Sequence, residues 1–289
     1  MTHSQAPLGR LAVCPTPIGN LQDVTLRVLA TLASADVVAC EDTRRTGRLL
    51  QSHGLSAPLV SLHEHNERAR SRELLARMHR GALVALVSDA GTPVIADPGY
   101  ALVQECLRAG IAVDVLPGAS AVTVALVASG LPAERWCYVG FLPRKRGALV
   151  ELLGAAADTL VAFESPRRLA GTLALLAELD PQRPVAVCRE LTKLHEEVRR
   201  GSARELAAPH AAPGPRPAPR GEVVLEIGAG DSQRGGVREA VQALGELIAA
   251  GARPRAAAAA LAKLTGLGAN ELYRAATRAS RPSGGAARR

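Results

Sequence analysis

The stretch VALVSDAGTPVIADPG, residues 84–99, decides how this chain folds. Its first four residues are apolar and stop at a loop of Ser, Asp, Gly, Thr and Pro, with a helix-like segment beyond. An apolar run of this length reads as a strand buried on both faces, as in a parallel sheet. LPGASA, residues 116–121, repeats the form. In open α/β sheets ligands bind where such loops gather, at the carboxyl ends of strands. Gly91, Gly99 and Gly118 let the backbone approach a ligand closely, and Asp89 and Asp97 offer carboxylates to hydroxyl or cationic groups. The two loops together read as a cofactor cradle. No GxxxxGK[ST] pattern occurs, which excludes a P-loop nucleotidase.

Outward from this stretch, apolar runs at residues 11–14, 37–40, 59–62 and 111–116 alternate with helix-like segments such as 21–32 and 67–79. The alternation predicts a parallel-rich α/β unit. A second set of runs lies at residues 138–142, 159–163, 185–188, 197–201 and 222–227. Its first connections are helical, but 185–201 reads as a hairpin, so the second sheet is expected to be mixed. The boundary falls near residues 129–135. The expected division is therefore an N-terminal α/β domain over 1–129, a second α/β domain over 130–232 and a helical extension over 233–289. Residues 209–219 are rich in Pro and Ala and read as a loop. Residues 231–236 are expected to separate the tail, and breaks at 251–254 and 265–268 cut it into three short helices of helix-turn-helix type. VVLEIGAGDS, residues 223–232, imitates the first motif of a Rossmann-type methyltransferase, but too little chain follows to complete such a domain. It is expected to be a last strand running into a linker.

Composition narrows the partners. Thirty-five Lys and Arg against 27 Asp and Glu leave a net charge of +8, which suits a polyanion, nucleic acid above all. One Trp, three Tyr and two Phe are too few for a base-stacking sheet surface. No apolar stretch approaches the roughly 20 residues of a membrane span, and the start has no signal-peptide order. The five cysteines are scattered without a CxxC, as expected of reduced residues in a cytoplasmic protein.

Nine motifs follow one another in order: CPTPIGNLQDVTLR (14–27), CEDTRRTGRLL (40–50), SLHEHNE (61–67), VSDAGTPVIADPG (87–99), LPGASA (116–121), VGFLPRK (139–145), FESPRR (163–168), CRELTKLHEE (188–197) and PRGEVVLEI (219–227). In this the chain resembles the small-subunit ribosomal RNA 2′-O-ribose methyltransferase I family, a branch of the tetrapyrrole methylase-like superfamily. The likeness spans residues 10 to 228, and the helical tail is similar to that family's C-terminal extension. It implies two α/β domains with the active-site cleft between them, S-adenosylmethionine as methyl donor and a homodimer. The implied target is the ribose 2′-hydroxyl of a cytidine in small-subunit (16S) RNA, as free RNA or in the assembled subunit. By the same resemblance Asp89, Ala90, Gly91, Val94, Asp97, Ser120 and Ala121 contact the donor. Two other readings stand beside it: a methylase of a small molecule such as a tetrapyrrole precursor, and a non-catalytic RNA-binding assembly factor.

A ribose hydroxyl is very weakly acidic and needs a base or a cation that stabilises the developing alkoxide. Glu41 and Glu164 are the candidate bases and Lys193 or Arg189 the electrostatic partner. His63 and His65 alternate along an expected strand, so at most one faces the cleft, and they lack the companions of a metal site. Arg144, Lys145 and Arg146 form a cationic loop after a strand; Arg44, Arg45, Arg167 and Arg189 sit at other strand ends, with Asn20, His63 and Asn66 among the polar groups there. These are the expected RNA contacts, since Arg forks pair well with phosphates. The chain departs from the family pattern at residues 162–167, AFESPR, where members usually read FYESPHR. Arg167 thus stands in the place of a His, Phe163 in that of a Tyr, and Leu62 in that of an aromatic residue.

Overall fold

The computed structural model describes residues 8–211, 221–265 and 267–279. The first half builds β1 (Arg10–Val13), α1 (Leu26–Ser34), β2 (Val37–Cys40), α2 (Thr43–Ser52), β3 (Leu59–Ser61), α3 (Glu67–Met78), β4 (Leu83–Leu86), α4 (Tyr100–Arg108), β5 (Ala112–Val115) and α5 (Ala121–Ser129). The five strands are all parallel, in the order β3-β2-β4-β1-β5. Successive side chains point to opposite faces, so each central strand serves two cores. Leu11, Val13, Val84 and Leu86 pack against Leu74 and Met78 of α3 and Leu102 of α4. Ala12, Cys14, Ala85 and Val87 pack on the other face against Val28 and Leu32 of α1. Such two-sided burial explains why the runs are apolar without alternation.

The segment 21–32, expected as one helix, is two elements. Asn20 Oδ1 accepts the Gln22 N–H at 3.1 Å and caps a single 3₁₀ turn, Leu21–Asp23. Thr25 Oγ1 then accepts the Val28 N–H at 3.1 Å and starts α1 afresh. Two competing caps five residues apart divide the run. His63 and His65 are also not on a strand: β3 ends at Ser61, and residues 63–66 form a turn in which the two rings meet edge-on, 6.0 Å apart.

The second half adds β6 (Trp136–Phe141), α6 (Arg146–Ala155), β7 (Thr159–Glu164), α7 (Pro166–Leu179), β8 (Pro184–Arg189), β9 (Glu197–Ser202), α8 (Ala203–Ala211) and β10 (Val223–Ile227). The sheet order is β6-β7-β10-β8-β9, with β6 parallel to β7 and every other pair antiparallel. The sheet is mixed, and β8 and β9 form the hairpin. One face packs on Leu149 and Leu153 of α6, Leu169 and Leu173 of α7 and Leu206 of α8. The other face, through Val161, Cys188 and Val224, receives Val122, Ala125 and Leu126 of α5, together with Ile18 from the loop after β1. A division at residue 129 would give α5 to the first unit; its apolar side instead closes the second sheet. Glu226 lies on this central strand, fully buried, with no hydrogen-bond partner for either oxygen among the described residues. Burial pushes its pKa up to about 8, so it is mostly neutral at pH 7.

β10 is the middle strand of a sheet already begun, which settles residues 223–232 as a closing strand and not the start of a Rossmann unit. α8 continues through Pro209 to Ala211, three residues into the stretch expected as loop, and residues 212–219 of that stretch lie outside the described residues. The expected separator at 231–236 is helix: α9 (Asp231–Ala249) begins there and is followed by α10 (Pro254–Thr265) and α11 (Ala269–Ala279). The three pack on one another through Ala240, Leu244, Ala258, Leu272 and Ala276, a small core made largely of alanine.

Candidate active site

The loops after β1, β4 and β5 emerge at the carboxyl edge of the first sheet and meet the second sheet along a cleft. A cavity of about 410 Å³ lies in it, within the ~300–1,000 Å³ of small-molecule sites. Ala90, Gly91, Thr92, Ile95 and Asp97 line it from the loop after β4, and Ser120, Ala121 and Val122 from the start of α5. The second sheet contributes Phe141, Phe163 and Val224, and the loop before β10 contributes Gly221 and Glu222. Tyr138, Phe141 and Phe163 stack edge to face at 5.4 and 5.5 Å, which gathers half of the scarce aromatic residues on this side.

The loop after β4 is held in an unusual shape. Ser88 Oγ bonds the Gly91 carbonyl at 3.1 Å, Thr92 Oγ1 bonds the Ala119 carbonyl at 3.0 Å, and Gly91 pairs with Thr16 through two backbone bonds. Glu67 closes the far end by accepting the N–H groups of Gly99 and Ala101 at 2.9 and 2.8 Å. Val94 and Ala96 have φ of 76° and 65°, and Glu190 and Thr192 in the facing β8–β9 loop have 48° and 66°. Left-handed backbone at four non-glycine residues is costly, and such residues concentrate at sites that bind or react.

Acidic groups gather around the cleft. Asp97 has its pKa raised to about 6, chiefly by burial and then by Glu41, with Asp89 and Glu222 adding to it. Glu41 is raised too, by burial first and Asp89 next, against the pull of Arg45 and His63. The Tyr138 hydroxyl is buried without a hydrogen-bond partner among the described residues, and burial followed by the charge of Asp97 raises its pKa. A carboxylate such as Asp97, desolvated in the wall of a largely apolar cavity, is a group that a ligand bearing hydroxyl or cationic donors satisfies.

A second cavity, of about 510 Å³, opens on the other side of the β4 loop. Thr16, Gly19, Arg45, Arg48, Ser88, Asp89, Lys193 and Glu222 are among its lining residues. Arg45 and Arg48 project from one side of α2. Lys193 Nζ bridges Glu190 at 2.9 Å and Glu222 at 3.0 Å.

Of the residues expected to hold a donor, Ala90, Gly91, Asp97, Ser120 and Ala121 line the first cavity. Asp89 does not. Its Oδ1 accepts the Asp42 N–H at 3.0 Å and its Oδ2 lies 3.4 Å from Arg45, which turns the carboxylate toward the second cavity. Val94 is absent from the lining and packs toward the core of the first sheet. Gly99 serves packing and not a ligand: a Cβ there would lie 2.7 Å from Leu86.

The expected bases also part company. Glu164 reaches the first cavity, but its side chain is fully buried and both oxygens are engaged. Oε1 accepts the Ser165 N–H and Oε2 the Thr172 hydroxyl, each at 2.6 Å, with Arg168 3.4 Å away. It fixes the entry to α7 and is not a free base. Glu41 lines neither cavity.

Among the expected RNA contacts, Arg45 lines the second cavity, whereas Arg44 forks onto Asp42 at the exposed start of α2. Asn20 and Asn66 are spent on local turns: Asn66 Oδ1 accepts the His63 N–H at 2.9 Å. Arg189 pairs with Glu197 at 2.5 Å and Arg146 with Glu178 at 2.6 Å. Arg144, Lys145 and Arg167 are exposed. Because β6, β7 and β8 run the same way, Arg144, Lys145, Arg167 and Arg189 all lie toward the edge of the second sheet that faces the cleft. Sequence reasoning missed Ile18, Phe141, Gly221, Glu222 and Val224 in the first cavity and Arg48 in the second. PRGE, just before β10, was the available signal.

Comparison with known proteins gives the family and the fold. The profile of the Tetrapyrrole (Corrin/Porphyrin) Methylases matches residues 10–207. A protein of Mycobacterium bovis named ribosomal RNA small subunit methyltransferase I is 45% identical over 286 residues, covering 96% of this chain and 98% of that protein. The crystal structure of uroporphyrin-III-C-methyltransferase from Thermus thermophilus superposes with a TM-score of 0.55 at 25% identity, covering 76% of this chain and 94% of that one. A second structure of that enzyme, in complex with S-adenosyl homocysteine, has a TM-score of 0.52 at 22% identity over 76% of this chain and 97% of that one, a likeness of fold alone.

Proposed function

Since this chain belongs to the ribosomal RNA small subunit methyltransferase I family, within the tetrapyrrole methylases, we propose that it transfers a methyl group from S-adenosylmethionine to the ribose 2′-hydroxyl of a cytidine in small-subunit (16S) ribosomal RNA. The observation that carries this reading is the pair of cavities that meet at one wall, the first largely apolar with the carboxylates of Asp97, Glu164 and Glu222 in its lining, the second flanked by Arg45, Arg48 and Lys193. One suits a nucleoside-like donor and the other an anionic acceptor strand.

The donor supplies an activated methyl group on a positively charged sulfur. The chain's own part is to bind and to orient. Apolar walls from Ile95, Val122, Phe163 and Val224 exclude water, and Asp97 offers a polar partner to a donor's hydroxyl or ammonium groups. The bonded loop of residues 88–92 and the first turn of α5 keep these groups in place, so that little ordering is left to the moment of transfer. On the acceptor side Arg45 and Arg48, with Arg144, Lys145 and Arg167 along the cleft edge, attract phosphates and position the strand. Family resemblance also supports a homodimeric, cytoplasmic protein. No helix among the described residues is long and apolar enough to cross a membrane.

The test is transfer of labelled methyl from S-adenosylmethionine to undermodified small ribosomal subunits and to naked 16S RNA, with nuclease mapping of the product. Label on the 2′-oxygen of one cytidine is expected. A protein that binds the donor and labels neither substrate contradicts the reading.

A further inference from the structure

We propose that Glu222 is the base that accepts the proton of the acceptor hydroxyl; this rests on the methyl-transfer reading above. Among the described residues only Ile18, Ala90 and Glu222 line both cavities. The first two have no polar side-chain atom, so Glu222 is the one titratable group, among the described residues, that faces the donor space and the acceptor space together. The other carboxylates are placed otherwise. Asp97 lines only the first cavity and Asp89 only the second, and Glu164 is fully engaged.

The position of Glu222 is built. Its N–H donates to Glu190 Oε1 at 2.9 Å, and its carbonyl accepts the Glu190 N–H at 3.1 Å. Its Oε2 receives the Lys193 ammonium at 3.0 Å, which, among the described residues, leaves Oε1 for the acceptor. Lys193 in turn fits because residue 19 is glycine: a Cβ there would lie 2.4 Å from Lys193 Cγ. Burial opposes the charge of Lys193, yet hydrogen bonds to Glu190 and Glu222 hold its pKa above the ordinary value. The Lys193 cation therefore pins Glu222 and stands next to the oxygen that loses its proton. The Glu222 side chain is 66% exposed, which gives that proton an exit to water.

The step balances. The acceptor oxygen bonds to the methyl carbon as the carbon–sulfur bond breaks. Sulfur keeps that electron pair and passes from sulfonium to neutral thioether, while the hydroxyl proton moves to Glu222 and then to solvent.

Glu222→Gln and Glu222→Ala test it, through methyl transfer to small subunits across pH and calorimetric titration of the donor. We expect kcat to fall by about 10²–10⁴-fold, the usual worth of a general base, with donor affinity unchanged. The carboxylate-dependent limb of the pH profile should vanish in the Gln variant, and added formate should restore part of the rate of the Ala variant. A Gln variant with wild-type kcat, a loss matched by lost donor affinity, or an Ala variant that formate does not help each overturns the proposal. A wild-type protein that labels no RNA overturns the methyl-transfer reading itself, and the proposal with it.

Discussion

At Asp97 the first cavity holds a carboxylate in surroundings that resist its charge. Its pKa of about 6, against an ordinary 3.8, means that the folded protein binds this proton more tightly than the unfolded chain. Stability from this group is therefore greatest below about pH 4, falls as pH rises to 6, and is flat above. Asp97→Asn removes the penalty without changing the shape. We expect its melting temperature to match wild type at pH 4 and to exceed it at pH 7, by a difference worth about 1–2 kcal/mol once solvent screening is allowed for. Donor affinity should fall in the same variant, the usual exchange of function for stability. Equal melting curves at both pH values would contradict the assignment of strain. Residue identity was only partly legible in advance. Ala90, Gly91, Asp97, Ser120 and Ala121 sit on loops whose place at strand ends follows from pattern, while their expected contact with the donor came from the family resemblance. The direction of Asp89 and the engagement of Glu164 depend on partners 47 and 8 residues away in sequence, which no local pattern records.

The element that most distinguishes the site is the loop of residues 88–99. Ala96 is exposed and left-handed, a conformation that costs a non-glycine residue about 1–2 kcal/mol. Ala96→Gly relieves that cost but loosens the loop. Thermal melts should show unchanged or higher stability, while calorimetry should show weaker donor binding; a markedly lower melting temperature would mean that the backbone is not strained there. The strands and helices of the first sheet were legible because buried parallel strands read as unbroken apolar runs. The contribution of β10 was not. Carboxyl-end loops are the ones a parallel sheet directs to ligands, but β10 runs antiparallel to its neighbours, so its amino end, with Gly221 and Glu222, enters the cleft. The split before α1 was hidden for a different reason, since Asn20 and Thr25 are both good caps and neither alone marks a break.

At the scale of the molecule, two α/β units share one cleft. Helix α5 joins them, lining the first cavity with its first turn and closing the second sheet with its apolar side. A chain with a net charge of +8, and with Arg45, Arg48, Arg144, Lys145 and Arg167 toward the cleft, suits a long anionic strand better than a small acceptor. The cavity between the sheets is the feature on which the rest depends, and Ala121 at its wall is the place to test it. The most direct measurement is calorimetric titration of S-adenosylmethionine into the wild-type protein and into Ala121→Phe, with melting curves as the control for folding. We expect one donor per chain in wild type and, in the variant, loss of binding with the melting temperature retained. Undiminished binding to a folded Ala121→Phe protein would place the donor elsewhere and contradict the reading of this cleft.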